Sequence, residues 1–195
     1  MNIHYKVNFF SDWHASSGLS GGAYADSLVI KENGFPYLPG KTVKGLLREA
    51  SVKISSLSNG ALVDEDFIND VFGVEPSPEQ INQEIKTREG DAFFGNAYLS
   101  EAILSELEEK SAYLKGSLYQ VRAFTKLDKA GIAAEGTLRQ MEVCVPVTLY
   151  GEIDGFPNRE GYLEQFKLCM QGIKRLGLNR SRGLGRCEFS IIKTA

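Results

Sequence analysis

The chain has 195 residues, of which 43% are hydrophobic and 24% charged, and a formal net charge of −3. That balance excludes collagen, a coiled coil and a disordered chain, and the length predicts one domain over residues 1–195 that needs no metal or disulfide to fold. No apolar run approaches the ~18 residues of a membrane span, the start MNIHYKVNFF lacks a signal-peptide pattern, and three scattered cysteines without a CxxC pair argue against zinc, so a cytoplasmic protein with no membrane partner is expected.

Residues 3–9 alternate Ile3, Tyr5, Val7 and Phe9 with His4, Lys6 and Asn8, which predicts a half-buried strand. Residues 14–25, HASSGLSGGAYA, read as a flexible loop, and residues 27–31, SLVIK, as a short strand. The turn GFPYLPG leads into a helix from about residue 42, with Val43, Leu46, Leu47, Ala50 and Ile54 as its apolar stripe. Lys41, Lys44 and Arg48 share another face of it.

Residues 60–110 read as a helical insertion, with a capping box at Ser77-Pro78-Glu79-Gln80 and a cap at Ser100. Strands are predicted over residues 92–99 and 118–124. Residues 125–139, with Gly131 and Gly136, read as a mobile hairpin or loop. The strongest strand pattern spans residues 141–153, with Met141, Val143, Val145, Val147 and Leu149 on one face and Glu142 and Cys144 on the other. Pro146 within it marks an edge or a bulge. An amphipathic helix over residues 159–175, a glycine-rich segment over 177–185 and a strand over 186–193 complete the chain. This order, strand–helix–strand twice, predicts an α+β, ferredoxin-like fold with insertions.

Charge is segregated along the sequence. Residues 64–109 hold thirteen acidic and two basic residues, whereas residues 167–187 hold six basic and no acidic ones. Such asymmetry points to a basic face for a polyanion and an acidic face elsewhere. GFPYLPGKT is not a nucleoside-triphosphate loop, because five residues rather than four separate Gly34 from Gly40 and its prolines lack the N–H groups that cradle phosphates. NRSRGLGR, residues 179–186, interleaves glycines with Arg180 and Arg182, as a backbone approached closely by a phosphate requires. A solvated turn is the plainer alternative. His14, beside Asp12 and Trp13, is either a general base or a structural histidine, and Asp26 either a metal-binding or hydroxyl-orienting carboxylate or a turn cap.

Taken in order, these pieces resemble the RAMP superfamily (repeat-associated mysterious proteins) of CRISPR effector proteins. SDWHASSGLSGGAYADSLVIKENGFPYLPGKTVKGLLREA resembles its N-terminal signature. DVFG and GDAFFGNAYL resemble its mid-chain segments, VRAFTKLDKAGIAAEGTLRQMEVCVPVTLYGEI its thumb hairpin and IKRLGLNRSRGLGRCEF its C-terminal glycine-rich loop. The best resemblance is to the guide-RNA-binding backbone subunits of type III complexes. It implies a modified RNA-recognition-motif core, with a thumb over about residues 121–140 that pushes between bases. Its implied partners are guide RNA, target RNA and other RAMP subunits stacked along RNA.

By the same resemblance, Lys41, Lys44 and Arg48 contact guide phosphates, with Arg122, Thr125 and Lys126 in the thumb and Arg180, Arg182, Gly183 and Gly185 in the glycine-rich loop as further RNA contacts. Asp26 matches the loop aspartate that cuts target RNA, with a divalent cation such as Mg2+ as the implied cofactor. Two other readings remain open at this point. One is an endoribonuclease that processes the guide precursor with His14. The other is a protein-binding module that uses the acidic insertion and contacts no RNA.

Overall fold

Every second side chain of β1, Ile3–Phe9, is buried, as the alternation requires, and β1 runs through the centre of a four-stranded antiparallel sheet. The computed structural model describes residues 1–74, 88–109, 112–126 and 128–195. The remaining elements, in chain order, are β2 Lys31–Glu32, β3 Phe35–Pro36, α1 Gly40–Ser58, α2 Glu65–Phe72, β4 Gly73–Val74, β5 Arg88–Glu89 and β6 Phe93–Phe94. After them come α3 Glu101–Glu109, α4 Ala112–Gly116, β7 Tyr119–Phe124, β8 Arg139–Cys144, β9 Thr148–Asp154, α5 Tyr162–Gly172 and β10 Cys187–Thr194.

The main sheet has the order β10-β1-β9-β6, with every neighbouring pair antiparallel. Its buried residues join Val43 and Leu47 of α1 and Phe166 and Met170 of α5 in one core, so both crossover helices pack on the face that carries Tyr5 and Val7. Gly151 sits opposite Tyr5 in β9, and a Cβ there would come within 2.5 Å of the Tyr5 ring. The bare backbone is what lets that ring lie across the strand. The Tyr5 hydroxyl is buried without a hydrogen-bond partner among the described residues, and burial pushes its phenol well above the usual range. Cys144, Cys169 and Cys187 are free and buried, and burial pushes each thiol up to about 12.

Several elements depart from the sequence reading. SLVIK is not a strand over its length. It makes single bridges, Ser16 to Val29 and Ser27 to Met141, and only Lys31 enters a ladder, β2 with β3 across the positive-φ pair Asn33-Gly34. The strand expected over residues 92–99 shrinks to Phe93–Phe94, after which Ala97 and Tyr98 make isolated bridges. The run 141–153 is two strands. Pro146, which has no N–H to give, lies where the chain leaves the two-stranded β7–β8 sheet for the main sheet.

Glu142, which the alternation puts on the face opposite Met141 and Val143, is only 3% exposed, because residues 12–31 pack against β8 there. Ser100 caps α3 as expected, its hydroxyl accepting from the Ile103 amide at 3.4 Å. The capping box at residues 77–80 lies outside the described residues. Among the described residues no helix is long and apolar enough to cross a membrane.

Candidate nucleic-acid interface

Residues 12–14 are the point on which three loops converge. Gly185 donates its amide to the Asp12 carbonyl at 2.7 Å, and Leu178 donates to the His14 carbonyl at 3.1 Å. On the other side the Trp13 and Cys144 amides each donate to the other's carbonyl, at 2.9 and 2.8 Å. The glycine-rich segment therefore closes over residues 12–14, which in turn lie against the base of the β7–β8 hairpin. Two glycines make this closure possible. A Cβ on Gly177 would sit 2.3 Å from the His14 carbonyl oxygen, and one on Gly185 1.7 Å from that of Leu176. Gly185 thus serves packing inside the protein, whereas Gly183, at φ +91, faces open space and keeps its backbone accessible.

His14 is fully buried. The Glu142 carbonyl can only accept, so His14 donates to it from Nδ1 at 2.6 Å, which leaves Nε2 to accept from the Ser27 hydroxyl at 3.0 Å. Burial holds the imidazole below its usual range, opposed in part by that hydrogen bond and by the Glu142 charge. With both nitrogens engaged and no exposed surface, His14 positions the Asp26 loop rather than facing a substrate.

The Asp26 loop is sewn to β8 by the same neighbourhood. Glu142 accepts from the Val29 amide at 3.0 Å and from Lys31 Nζ at 2.8 Å, and its own amide donates to the Ser27 carbonyl at 3.0 Å. Asp26 itself is exposed. No group of three His, Cys, Asp or Glu side chains able to hold a metal occurs among the described residues, and one Asp26 oxygen already accepts from the Gln140 amide. This donor set does not fit a divalent ion held by the chain alone.

Beside this junction lies a cleft of about 530 Å³ lined by Phe10, Asp12, Arg122, Phe124, Arg182 and Gly183, among others. Three of the sequence-predicted residues, Arg122, Arg182 and Gly183, thus meet in one place. Arg122 donates from Nε and Nη2 to one Asp12 oxygen at 3.0 and 2.6 Å, which fixes the guanidinium at the cleft wall with half its side chain exposed. Arg182 is exposed on a short 3-10 turn, and Arg175 donates to the Arg180 carbonyl at 2.7 Å.

Thr125 and Lys126 stand farther out on the hairpin. There the Thr137 hydroxyl accepts from the Lys126 amide at 3.2 Å and lies 3.0 Å from the Thr125 hydroxyl. No described residue of 125–138 is buried.

The other predicted cations lie elsewhere. Arg48 reaches toward the Gly73 carbonyl at 3.5 Å on the α2 side of α1, whereas Arg180 lines a groove with Leu46, Ala50 and Lys53 on the α5 side. Lys41 and Lys44 have no hydrogen-bond or ion-pair partner among the described residues. The α1 N-terminus does not present a bare anion site. The Gly40 amide donates to Asn96 Oδ1 at 2.9 Å, the Thr42 and Val43 amides donate to the Pro39 carbonyl, and a Cβ on Gly40 would lie 1.9 Å from the Phe94 carbonyl oxygen.

Sequence reasoning missed Phe10 and the roles of Asp12 and Glu142. Phe10 continues a strand whose alternation ends at Phe9, and an aromatic residue one step past the buried face was the available signal.

A family model described as RAMPs, RAMP superfamily, matches residues 6–188. Among solved structures, the chain is similar to a chain from "Cryo-EM structure of the Type III-B Cmr-beta bound to cognate target RNA", with a TM-score of 0.69 and 10% identity over 98% of this chain and 97% of that one. It is also similar to a chain from "Type III-B Cmr-beta Cryo-EM structure of the Apo state", with a TM-score of 0.65 and 12% identity over 99% and 98%. No curated protein matches the chain in sequence.

Proposed function

The chain belongs to the RAMP superfamily, and from that premise we propose that it is an RNA-binding subunit of a type III CRISPR effector complex. On this reading it is a backbone subunit with a ferredoxin-like core that holds guide RNA beside other RAMP subunits. The order β10-β1-β9-β6, with α1 and α5 as crossovers, supports the ferredoxin-like core. The likeness to chains of Cmr-beta assemblies, one of them bound to cognate target RNA, supports the complex and its ligand.

The observation that carries the reading is the cleft where Arg122, Arg182 and Gly183 face Phe10 and Phe124. Guanidinium groups, that of Arg122 fixed by Asp12, with an accessible glycine backbone and aromatic rings are what a nucleic-acid strand needs to lay down phosphates and bases.

The β7–β8 hairpin stands over the cleft as the thumb. Its exposed Ile132 and Leu138 suit insertion between bases. Asp26, held by Gln140 near the turn-ward end of that hairpin's ladder, is the candidate for cutting a target strand. Its work is to orient a 2′-hydroxyl. The 2′-hydroxyl gives its proton to water as its oxygen attacks the adjacent phosphorus in line, the P–O5′ bond breaks with its electron pair leaving on O5′, which takes a proton from water, and a 2′,3′-cyclic phosphate and a 5′-hydroxyl result.

The test is RNA binding by the full chain at low and moderate salt. Affinity should fall steeply with salt and Arg182→Ala should flatten that slope. Absence of binding at low salt, or binding indifferent to salt, would overturn the reading.

A further inference from the structure

The cleft at Arg122 and Arg182 does not end at Phe10. Phe10 also lines a second cleft, of about 490 Å³, with Lys174, Arg175 and Arg186. Lys174 and Arg175 in turn line a third, of about 220 Å³, with Lys53 and Arg180 between α1 and α5. Phe10 is common to the first two clefts, and Lys174 and Arg175 to the last two, so the three lie side by side from the β7–β8 hairpin past Phe10 to the α5 flank of α1, as a furrow in three parts. Seven cationic side chains line it against three carboxylates, Asp12, Glu188 and Glu49, a surplus of four positive charges on a chain of net charge −3. Asp12 is already neutralised by Arg122.

At the waist of the furrow Phe10 is 50% exposed, and the Arg186 guanidinium lies over its ring at 5.8 Å from the centroid. A half-exposed aromatic ring in a cationic channel contributes little to the core. It does offer a stacking surface, and Arg186 is placed to neutralise a neighbouring phosphate.

We propose that this furrow is the path of a single RNA strand and that Phe10 stacks one of its bases. The inference rests on the RNA-binding reading and adds a route and a stacking point to it. A single strand is favoured over a duplex because base faces are hidden inside a duplex. It is favoured over a phosphorylated or acidic protein because such a partner has no base to stack.

The test compares the full chain with four variants, using a short unpaired RNA and a duplex RNA as probes. Phe10→Ala should weaken the unpaired RNA by about tenfold, as expected for loss of one base–aromatic stack, and leave duplex binding and the salt slope unchanged. Phe10→Trp should keep affinity, and its added indole fluorescence should be quenched by the unpaired RNA. Lys53→Ala and Arg175→Ala should each lower the salt slope by about one.

If Phe10→Ala, Lys53→Ala and Arg175→Ala all bind like the parent chain, the proposed path is wrong although the RNA-binding reading stands. A parent chain that binds no RNA at low salt removes both. Equal losses for unpaired and duplex RNA on Phe10→Ala would overturn the stacking role.

Discussion

Asp26 and Gln140 hold each other by two hydrogen bonds: the Asp26 amide donates to the Gln140 carbonyl at 2.7 Å, and the Gln140 amide donates to the Asp26 carboxylate, also at 2.7 Å. The aspartate is thereby fastened to the turn-ward end of β8, so the carboxylate is tied to the outer part of the thumb rather than to its root. An asparagine oxygen can accept the same bond. Asp26→Asn should therefore leave the melting temperature and RNA affinity of the chain unchanged while abolishing target cutting by the assembled complex. Asp26→Ala should in addition lose about 1 kcal/mol of stability with the tie to β8. Undiminished cutting by the Asp26→Asn complex would leave only the scaffold role.

The Lys31–Glu142 pair predicts an asymmetric mutational cost. Glu142 is buried and Lys31 about one-third exposed, so Lys31→Met strands a charge in the interior. A loss of about 3 kcal/mol is expected in urea unfolding. Combining Lys31→Met with Glu142→Gln should recover part of it, since the stranded charge is then gone.

At the centre of the main sheet the reverse holds for Tyr5. Its hydroxyl lacks a partner among the described residues, so Tyr5→Phe should be neutral or stabilise the chain by up to about 1 kcal/mol. Gly151→Ala should cost about 2 kcal/mol, because the new methyl would meet the Tyr5 ring. Thermal melts of both variants check the pair.

Acid stability should fall in two stages. Burial pushes the Asp70 carboxyl up, but hydrogen bonds from Arg88 and Tyr162 and the charges of Arg159 and Arg88 outweigh it and hold the group below its usual range. His14 is also held below its usual range. For both groups the unfolded chain takes up a proton at a higher pH than the folded one. Their stabilisation is therefore complete above the unfolded values, about 6.5 for histidine and about 4 for aspartate, and is lost as pH falls. Urea midpoints followed from pH 8 downward should decline first through the histidine range and again below about 4, and Asp70→Asn should flatten the second decline.

Limited proteolysis addresses the thumb. With no buried residue among the described part of 125–138, the first cut of the free chain is expected there, and bound RNA should protect it. Equal cleavage with and without RNA would count against a thumb that engages RNA.

Local patterns carried the elements that see one environment. β1 and α5 were legible because their buried residues recur at periods two and about three and a half. Patterns failed where one segment meets two environments. The run after residue 141 reads as one strand, yet it serves two sheets, and Glu142 is enclosed by a loop more than a hundred residues earlier in the chain. For the same reason the glycine-rich loop was legible as a basic turn, but not that Gly177 and Gly185 are spent on holding residues 12–14. The division of the cations between two flanks of α1 depends on how α2 and α5 pack against it, which spacing along α1 alone does not encode.

The three buried thiols give the molecule its own timers. With each thiol raised to about 12, almost none is thiolate at neutral pH, and none is exposed to a modifying reagent. Alkylation can then proceed only as fast as each neighbourhood opens. Cys144 stands at the root of the thumb, Cys169 within α5 and Cys187 at the start of β10. Their separate labelling half-lives would rank how often the hairpin, the helix and the sheet edge come apart, without any probe having to be built in.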